Sequence, residues 1–541
     1  MNKIFKFCKK YLKQKRGLLV LYVLICIVSS LATIISPYIS GNFIDQLANS
    51  GSMEFFEKYL LIFIAINVTS LCLGYLGNRL SVFLQSKLAF NLNIDAIKHL
   101  QNVSLNTIHK KDTVYLNQRI NNDSNSIISF CISLLQNIVI NIIMQVVSLV
   151  ILFRFSFYIG ITLTILNFLY FISYRLFKSS LYKVNYAFRE EQAKFFSKYQ
   201  EQLANTRFIQ LHGLEGIFIN RLLNAFPNLL SKALLVQKTS YIFSSVDRIF
   251  MILANILIFI FGGHAVINNI ITIGTFTIIT SYFIILTGST RYFFSLGQSI
   301  QDNMVCYNRL DELFSINIKT NGNNIIPRIN SISLRNINFS YGDRHILTNI
   351  SAVFETGKIY AIVGMNGSGK STFINLLTGL FVDEYEGEIL YNDQLIQNLD
   401  MIRLRKDNMA ISEQEPLLIH DTYKSNLIVD RDFVFSESSL NLLCETLEMN
   451  EFFNSLPSGM DTVVNERSSN LSGGEKQKIS LIRTLLKDTE LIILDEPTSA
   501  LDKESGKRLM QLLEKKKKGK IIIISTHDKD VIDKCDRLIE L

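Results

Sequence analysis

The sequence predicts two joined folds. The first is an α-helical membrane domain of six transmembrane helices extended into the cytoplasm, and the second is an α/β P-loop nucleotide-binding domain. Three observations carry this. Residues 1–300 hold nearly all the long apolar runs, whereas residues 330–541 read as an ordinary soluble α/β domain. Each apolar run is near the ~20 residues that cross a bilayer as a helix. Finally, Gly364-Met365-Asn366-Gly367-Ser368-Gly369-Lys370-Ser371-Thr372 lies between an apolar β-prone run, Lys358–Val363, and a helix-like start, Phe373–Leu377. That is the strand–GxxxxGK[ST]–helix context of a phosphate-binding loop. A hydrophobic content of 48% and a mean hydropathy of +0.24 are high for a soluble chain and fit this division.

Residues 1–17 carry Lys3, Lys6, Lys9, Lys10, Lys13, Lys15 and Arg16 and no acid. A signal peptide is one reading. The following run, Leu18 to about Ile39, is too long for a signal-peptide core and lacks an obvious small-residue cleavage site. A first transmembrane helix is preferred. Further spans are expected at about 59–76, 127–153, 155–174, 242–267 and 271–286. Segments 78–126 and 175–238 carry six and ten Lys/Arg, whereas 40–58, 154 and 268–270 carry one, one and none. Basic connections stay on the cytoplasmic side, so both termini are expected inside, in a multi-pass plasma-membrane protein. The inner connections are long and helix-like, so the helices should project into the cytoplasm. The net charge of +8 is modest and mostly belongs to the membrane half, which gives no reason to expect nucleic-acid binding. Seven scattered cysteines with no CxxC pair suggest neither a disulfide framework nor a zinc site.

The expected domains are 1–315 for the membrane part, 316–330 for a polar, turn-rich linker and 331–541 for the nucleotide-binding part. The last opens on an alternating strand, Ser333–Tyr341. In the P-loop, Gly364, Asn366, Gly367, Ser368 and Gly369 let successive N–H groups point at phosphate oxygens. The helix behind them adds its partial positive charge. Lys370 should reach the β- and γ-phosphates of ATP, the Ser371 hydroxyl should ligate Mg²⁺, and Thr372 completes the loop. The run Lys515–Lys518 with Lys520 reads as a solvated helix end.

After the P-loop come Gln414, then Leu471-Ser472-Gly473-Gly474-Glu475-Lys476-Gln477, then Leu491–Leu494 with Asp495 and Glu496, then Ser499-Ala500-Leu501-Asp502, then His527. This order and spacing resemble the ATP-binding-cassette (ABC) ATPases, and with the preceding spans the whole chain resembles an exporter-type half-transporter. Glu475 stands where Gln is common in that family and Lys478 where Arg is. Asn465-Glu466-Arg467 resembles the exporters' x-loop with Asn465 in place of Gly. Arg119–Asp123 resembles the approach to a first coupling helix. Glu201–Leu203 with Gly213–Glu215 resembles the approach to a second.

Mg²⁺ prefers octahedral oxygen and keeps several waters. Ser371, Asp495 and Gln414 offer oxygens directly or through water. Asp495 ends an apolar strand and so projects from the sheet edge. Glu496 beside it is placed to orient or deprotonate the attacking water. His527 follows the strand Ile521–Ile524 and is expected to hydrogen-bond the γ-phosphate. Tyr341 reads as an adenine-stacking ring or as an exposed loop aromatic. The resemblance makes Leu471–Glu475 the signature that completes a partner's site, with Asp502 in the D-loop. One P-loop and one signature per chain then imply a dimer. The intact motifs favour a homodimer without excluding a partner of different sequence.

A soluble, non-transporting ABC ATPase is the competing class, and the spans argue against it. An importer usually splits the two parts onto separate chains. The first span starts so early that leader cleavage by this chain is not expected. The end shortly after Asp536-Arg537-Leu538 is earlier than in most relatives. For cargo, Ser133, Asn137, Asn141 and Gln145 recur every four residues of the third span, with Ser148 beyond. Asn255 and Asp247 share a face of the fifth, and Asp247 is followed by Arg248 near the inner end. The stripe, rich in amides and hydroxyls, should face the bundle interior or a water-filled cavity. It reads either as a cargo wall, with Asn137, Asn141, Gln145 and Asn255 in contact, or as interhelical hydrogen bonding. Its neutrality favours a hydrophobic peptide or other amphipathic molecule, with a multidrug or lipid exporter as the alternative.

Overall fold

A computed structural model describes residues 2–48, 53–109, 116–117, 119–155, 157–365, 367–429, 435–465, 471–499 and 501–541. The chain divides into two units. The first comprises Met1–Lys98 with Thr113–Ser315.

The helices run α1 (Asn2–Gln14), α2 (Arg16–Ala48), α3 (Met53–Gln101), α4 (Leu105–His109), α5 (Ser124–Phe155), α6 (Phe157–Ala204), α7 (Thr206–Leu211), α8 (Glu215–Ile267) and α9 (Ile273–Phe314). A π-type turn, Arg119–Asp123, leads into α5. Among the described residues, five of these helical stretches are long and apolar enough to cross a membrane: α2, α3, α5 with its leading turn, α8 and α9. The fourth expected span falls on α6. Large apolar side chains such as Leu61, Leu71 and Val150 are more than 60% exposed. Water would penalise such a surface, and lipid does not. Inside, Ile4 and Tyr11 of α1 pack with Leu84 and Leu88 of α3 and Ile127 of α5. A second core joins Ile34, Leu152, Ile258 and Tyr282. At the far end of the bundle α2 and α9 touch backbone to backbone. A Cβ on Gly274 would lie 1.9 Å from the Gly41 carbonyl oxygen. There the Asp45 carboxylate accepts from the Gly274 N–H (2.7 Å) and from Thr272 Oγ1 (2.6 Å) at the positive end of α9.

The second unit takes in residues 99–109 as well as Ile316–Leu541. Sequence placed that short segment in the membrane domain. Instead Val103 bridges to Ile318, the Lys319 N–H donates to the Asn102 carbonyl (2.9 Å), and Asn106 Nδ2 donates to Glu384 Oε2 (2.9 Å). The expected linker is also tied down. Gly322 N–H donates to Leu399 O and Asn324 N–H to Asn398 O, each at 2.9 Å.

The rest is built on two sheets with helices packed around them. The antiparallel one has the order β2 (Arg344–Glu355), β1 (Ser331–Tyr341), β4 (Tyr385–Tyr391), β5 (Gln394–Leu395). The other is parallel in the order β6 (Met409–Ser412), β7 (Leu491–Asp495), β8 (Ile521–Ser525), β3 (Lys358–Val363), β9 (Arg537–Glu540). Its central strands are apolar along their length because both faces are covered, and Leu491–Leu494 and Ile521–Ile524 are fully buried. Parallel strands deliver all their C-terminal ends to one edge. That edge collects the residues after β3, β7 and β8.

Candidate functional site

β3 ends at Val363 and the chain turns into α10 (Lys370–Leu377) through the glycine-rich loop. Gly367 and Gly369 have φ of +84° and +100°, where a side chain would be strained. A Cβ on Gly364 would come within 2.3 Å of Ser368 Oγ. The Lys370 ammonium lies on the loop itself, donating to the carbonyls of Gly364 (2.9 Å) and Met365 (3.3 Å). Ser368 Oγ is buried with no hydrogen-bond partner among the described residues. A curled backbone, a buried ammonium and an unpaired hydroxyl fit a phosphate group. Asn366 lies outside the described residues. Thr372 is buried in the first turn of α10.

Register brings the acidic pair in. Asp495 pairs with Ser525 across β7 and β8. Ser525 Oγ donates to Asp495 Oδ1, and Ser371 Oγ donates to Asp495 Oδ2 at 3.2 Å. Burial pushes the Asp495 carboxyl above the usual carboxylate range, against the pull of those two hydroxyls. Ser371 and Asp495 thus set two hard oxygens side by side, a donor set that suits Mg²⁺ with its remaining ligands from water and phosphate.

Glu496 turns out of β7 at φ +46°, a costly conformation for a side chain of this size. Three bonds hold it there. Its N–H donates to Ser525 O (2.9 Å), its carbonyl accepts from Gln477 Nε2 (2.7 Å), and its carboxylate Oε2 accepts from Gln414 Nε2 (2.8 Å). His527 Nδ1 is 3.6 Å from the other carboxylate oxygen. Glu496 is nearly enclosed while His527 is 69% exposed, so the imidazole stands at the mouth of the site. Lys370, Ser371, Gln414, Asp495, Glu496 and His527 therefore form one constellation. Sequence reasoning gave no role to Ser525 or to Gln477, which also donates to Ser499 Oγ (3.1 Å). The available signal was a hydroxyl at the end of one apolar strand in register with an acid at the end of the next.

Other expected residues lie apart from it. Leu471 is buried, and Ser472 caps α11 (Gly473–Leu486). Ser472 Oγ accepts from the Glu475 N–H (3.2 Å), and Glu475 Oε2 accepts from Ser472 N–H (2.7 Å) and Oγ–H (2.8 Å). Glu475 is thus the second half of a capping box. No hydrogen bond among the described residues joins Leu471–Glu475 to the P-loop, while a Cβ on Gly473 would meet nothing within 4 Å. That helix start is open at Gly473, and Gly474 is half-buried. Asp502 caps α12 (Lys503–Lys516). Its carboxylate accepts from Glu504 N–H, Ser505 N–H and Ser505 Oγ, which pull its pKa down to about 2. Tyr341, at the end of β1, is edge-on to Phe339 and Phe381 with its outer side exposed. Glu466, Arg467 and Ala500 lie outside the described residues.

In the first unit, a cavity of about 370 Å³ opens between α2, α3 and α5. Ser29, Ser30, Thr33, Asn78, Gln136 and Asn137 line it, and among the described residues no charged one does. Of the expected stripe only Asn137 reaches it. Asn141 turns its amide back to the Asn137 carbonyl (2.8 Å), and Gln145 and Asn255 are half-buried outside the lining. The Asp247 side chain lies outside the description. Ser29 with Thr33, and Asn78 with Ser81, were helix-face pairs readable in the sequence. Tyr22 closes one end, its hydroxyl donating to Gln136 Oε1 and sharing a hydrogen bond with the Ser81 hydroxyl (3.2 Å).

Comparison with known proteins agrees with both halves. Residues 19–290 match the model of the ABC transporter transmembrane region, and 347–499 match the model described as ABC transporter. An ATP-dependent lipid A-core flippase of Syntrophus aciditrophicus (strain SB) is 27% identical over 95% of this chain and 85% of its own length. The protein of that name in Escherichia coli (strain K12) is 25% identical over 87% of this chain and 80% of its own. The structure of a bacterial Atm1-family ABC exporter with ATP bound superposes with a TM-score of 0.81 at 22% identity, covering 98% of this chain and 93% of that one. The chain belongs to the ABC transporters: it is an ATP-binding, multi-pass, exporter-type half-transporter in which the helical membrane region is fused to the ATPase that drives it.

Proposed function

We propose that this exporter moves a lipid or lipid-like amphiphile across the plasma membrane by alternating access, working as a dimer of identical chains. The observation that carries the cargo class is the uncharged cavity between α2, α3 and α5, rimmed by hydroxyls and amides and set in helices with apolar outer faces. Such a wall suits a neutral polar head on an apolar body. A peptide would use the same chemistry, but relatives bearing the name lipid A-core flippase favour a lipid. The lack of cations in the lining favours a head that is neutral where it is buried.

Residues 1–315 act as the membrane domain, 316–330 as the connection and 331–541 as the ATPase, with both termini and the ATPase cytoplasmic. The loop Gly364–Thr372 and Lys370 bind the phosphates, and Tyr341 stacks on the adenine. Mg²⁺, held by Ser371 and Asp495 with Gln414 through water, would neutralise charge on the phosphate oxygens when bound. Glu496 takes the proton of the attacking water, Gln414 keeps the carboxylate aimed, and His527 donates to the γ-phosphate. Each signature helix start, Leu471 to Glu475, completes the site of the other copy, with Asp502 nearby. Closure of that sandwich then biases the membrane helices toward the outward-facing state.

The test is reconstitution in phosphatidylcholine vesicles with three additions: a monoglucosyl diacylglycerol, phosphatidylglycerol or a hydrophobic peptide. The glucolipid should stimulate ATPase most and be translocated. Changing Asn78→Leu with Asn137→Leu should cut that stimulation several-fold with basal turnover unchanged. Stimulation by the peptide alone would overturn the lipid reading. Mass measurement of the chain expressed alone should give twice the 61.9 kDa of one copy. A monomer that gains activity only with a second gene product would overturn the homodimer.

A further inference from the structure

The N-terminal helix carries charge that neither the ATPase nor the cargo cavity uses. Ile4, Cys8 and Tyr11 turn α1 inward and are buried. Lys10 and Tyr11 both hold Asp95 of α3, at 2.7 and 3.0 Å. The remaining cations do something different. Lys6, Lys9 and Lys13 recur at spacings of three and four and share one face of α1, and Arg16, the first residue of α2, joins them at the groove. All four are exposed, and none has an ion pair or hydrogen bond among the described residues. They rim a groove of about 500 Å³ with an apolar floor that includes Phe5 and Leu12, and no carboxylate lines it. The groove ends where the long apolar run of α2 begins, the position at which a span of that length meets the headgroups.

Four clustered cations at this spacing repel one another, and among the described residues no acid pairs with them. The chemistry that complements both the cations and the apolar floor is anionic at one end and apolar at the other, and it is available at the membrane surface. We infer that this groove is a binding site for an anionic glycerophospholipid: an acyl chain lies on Phe5 and Leu12, and the phosphate sits among Lys6, Lys9, Lys13 and Arg16. The site is separate from the cargo cavity and does not depend on the nature of the cargo. It fastens α1 to the bilayer through the lipid, while Asp95 fastens it to α3.

The experiment is native mass spectrometry of the full chain released from nanodiscs of equimolar phosphatidylglycerol and phosphatidylcholine with identical acyl chains. Basic groups at a membrane surface each contribute appreciably to anionic-lipid binding, so retention of phosphatidylglycerol should exceed that of phosphatidylcholine by roughly tenfold or more. The preference should fall as salt is raised. Lys6→Gln with Lys9→Gln and Lys13→Gln should bring it near parity, with basal ATPase in pure phosphatidylcholine unchanged. The matching Lys→Arg changes should preserve it. Equal retention of the two lipids by the wild type, or a preference indifferent to salt, would overturn the site, and both readings remain available if the Gln variant fails to assemble. Displacement of the bound lipid by glycerol 1-phosphate alone would overturn the role of the apolar floor.

Discussion

Glu496→Gln is expected to leave ATP binding intact and to cut ATP turnover by about 10²–10⁴-fold, the usual loss for a general base. The reason is local. Glu496 is held at φ +46° by its own N–H on Ser525 and by Gln477 on its carbonyl, bonds that glutamine keeps. The glutamine side chain is the same size and its amide oxygen still accepts from Gln414. What disappears is the carboxylate's ability to take a proton, so ground-state structure is preserved while the chemical step is lost. In the proposed dimer the nucleotide-bound form should therefore accumulate closed, visible as a stable ATP-loaded species on size exclusion. Turnover within about twofold of wild type would remove Glu496 from the base's role.

The ATPase half was legible because its chemistry is local in sequence. A strand, a glycine loop and a helix start are consecutive, and hydropathy marks Leu491–Leu494 and Ile521–Ile524 as buried strands. What could not be read was which strand lies beside which. Only register shows that Ser525 faces Asp495, and only the α11 packing shows Gln477 reaching the Glu496 carbonyl. Glu475 was noted as a departure from the common Gln, yet its geometry in this chain is a capping box. That role needs only the side-chain oxygen and three-residue spacing.

The membrane half was legible at the level of spans and less so at the level of the cavity. Hydropathy sees the apolar part of a helix and not its continuation into water. Thus the span expected at 59–76 lies in the first half of a helix running Met53–Gln101. A period of 3.6 shows which residues share a face, and Asn137, Asn141 and Gln145 do. It cannot show which faces meet. The cavity forms where α5 meets α2 and α3, so Asn137 enters it with Gln136, Asn78 and Ser29 while Asn141 bonds to its own helix. Residues 99–109 likewise look continuous with the helix before them, and only contacts such as Asn106 with Glu384 assign them to the ATPase unit.

Asp495→Asn should separate stability from activity at the other half of the acidic pair. Asp495 is buried, and burial raises its pKa despite hydrogen bonds from Ser525 and Ser371. A carboxyl whose folded pKa lies above its unfolded one is harder to ionise in the fold. Its charge therefore burdens the fold at every pH above the folded value. The burden fades as pH falls toward the ordinary carboxylate range, and below that range both states are protonated and it is gone. Asparagine removes the charge at all pH while keeping the shape and one acceptor for the two hydroxyls. The nucleotide-free variant should therefore melt at or above the wild-type temperature at pH 7, with the difference shrinking as the pH is lowered. Hydrolysis should respond oppositely. A neutral amide is a weak ligand for Mg²⁺, and losing several kcal/mol of metal-borne charge stabilisation corresponds to about 10²–10³-fold in rate. The two measurements are a nucleotide-free melting curve across pH and Mg²⁺-dependent ATP turnover at saturating nucleotide. Wild-type turnover in the variant would place the metal elsewhere. A lowered nucleotide-free melting temperature at pH 7 would mean that the two serine bonds outweigh the cost of burying the charge.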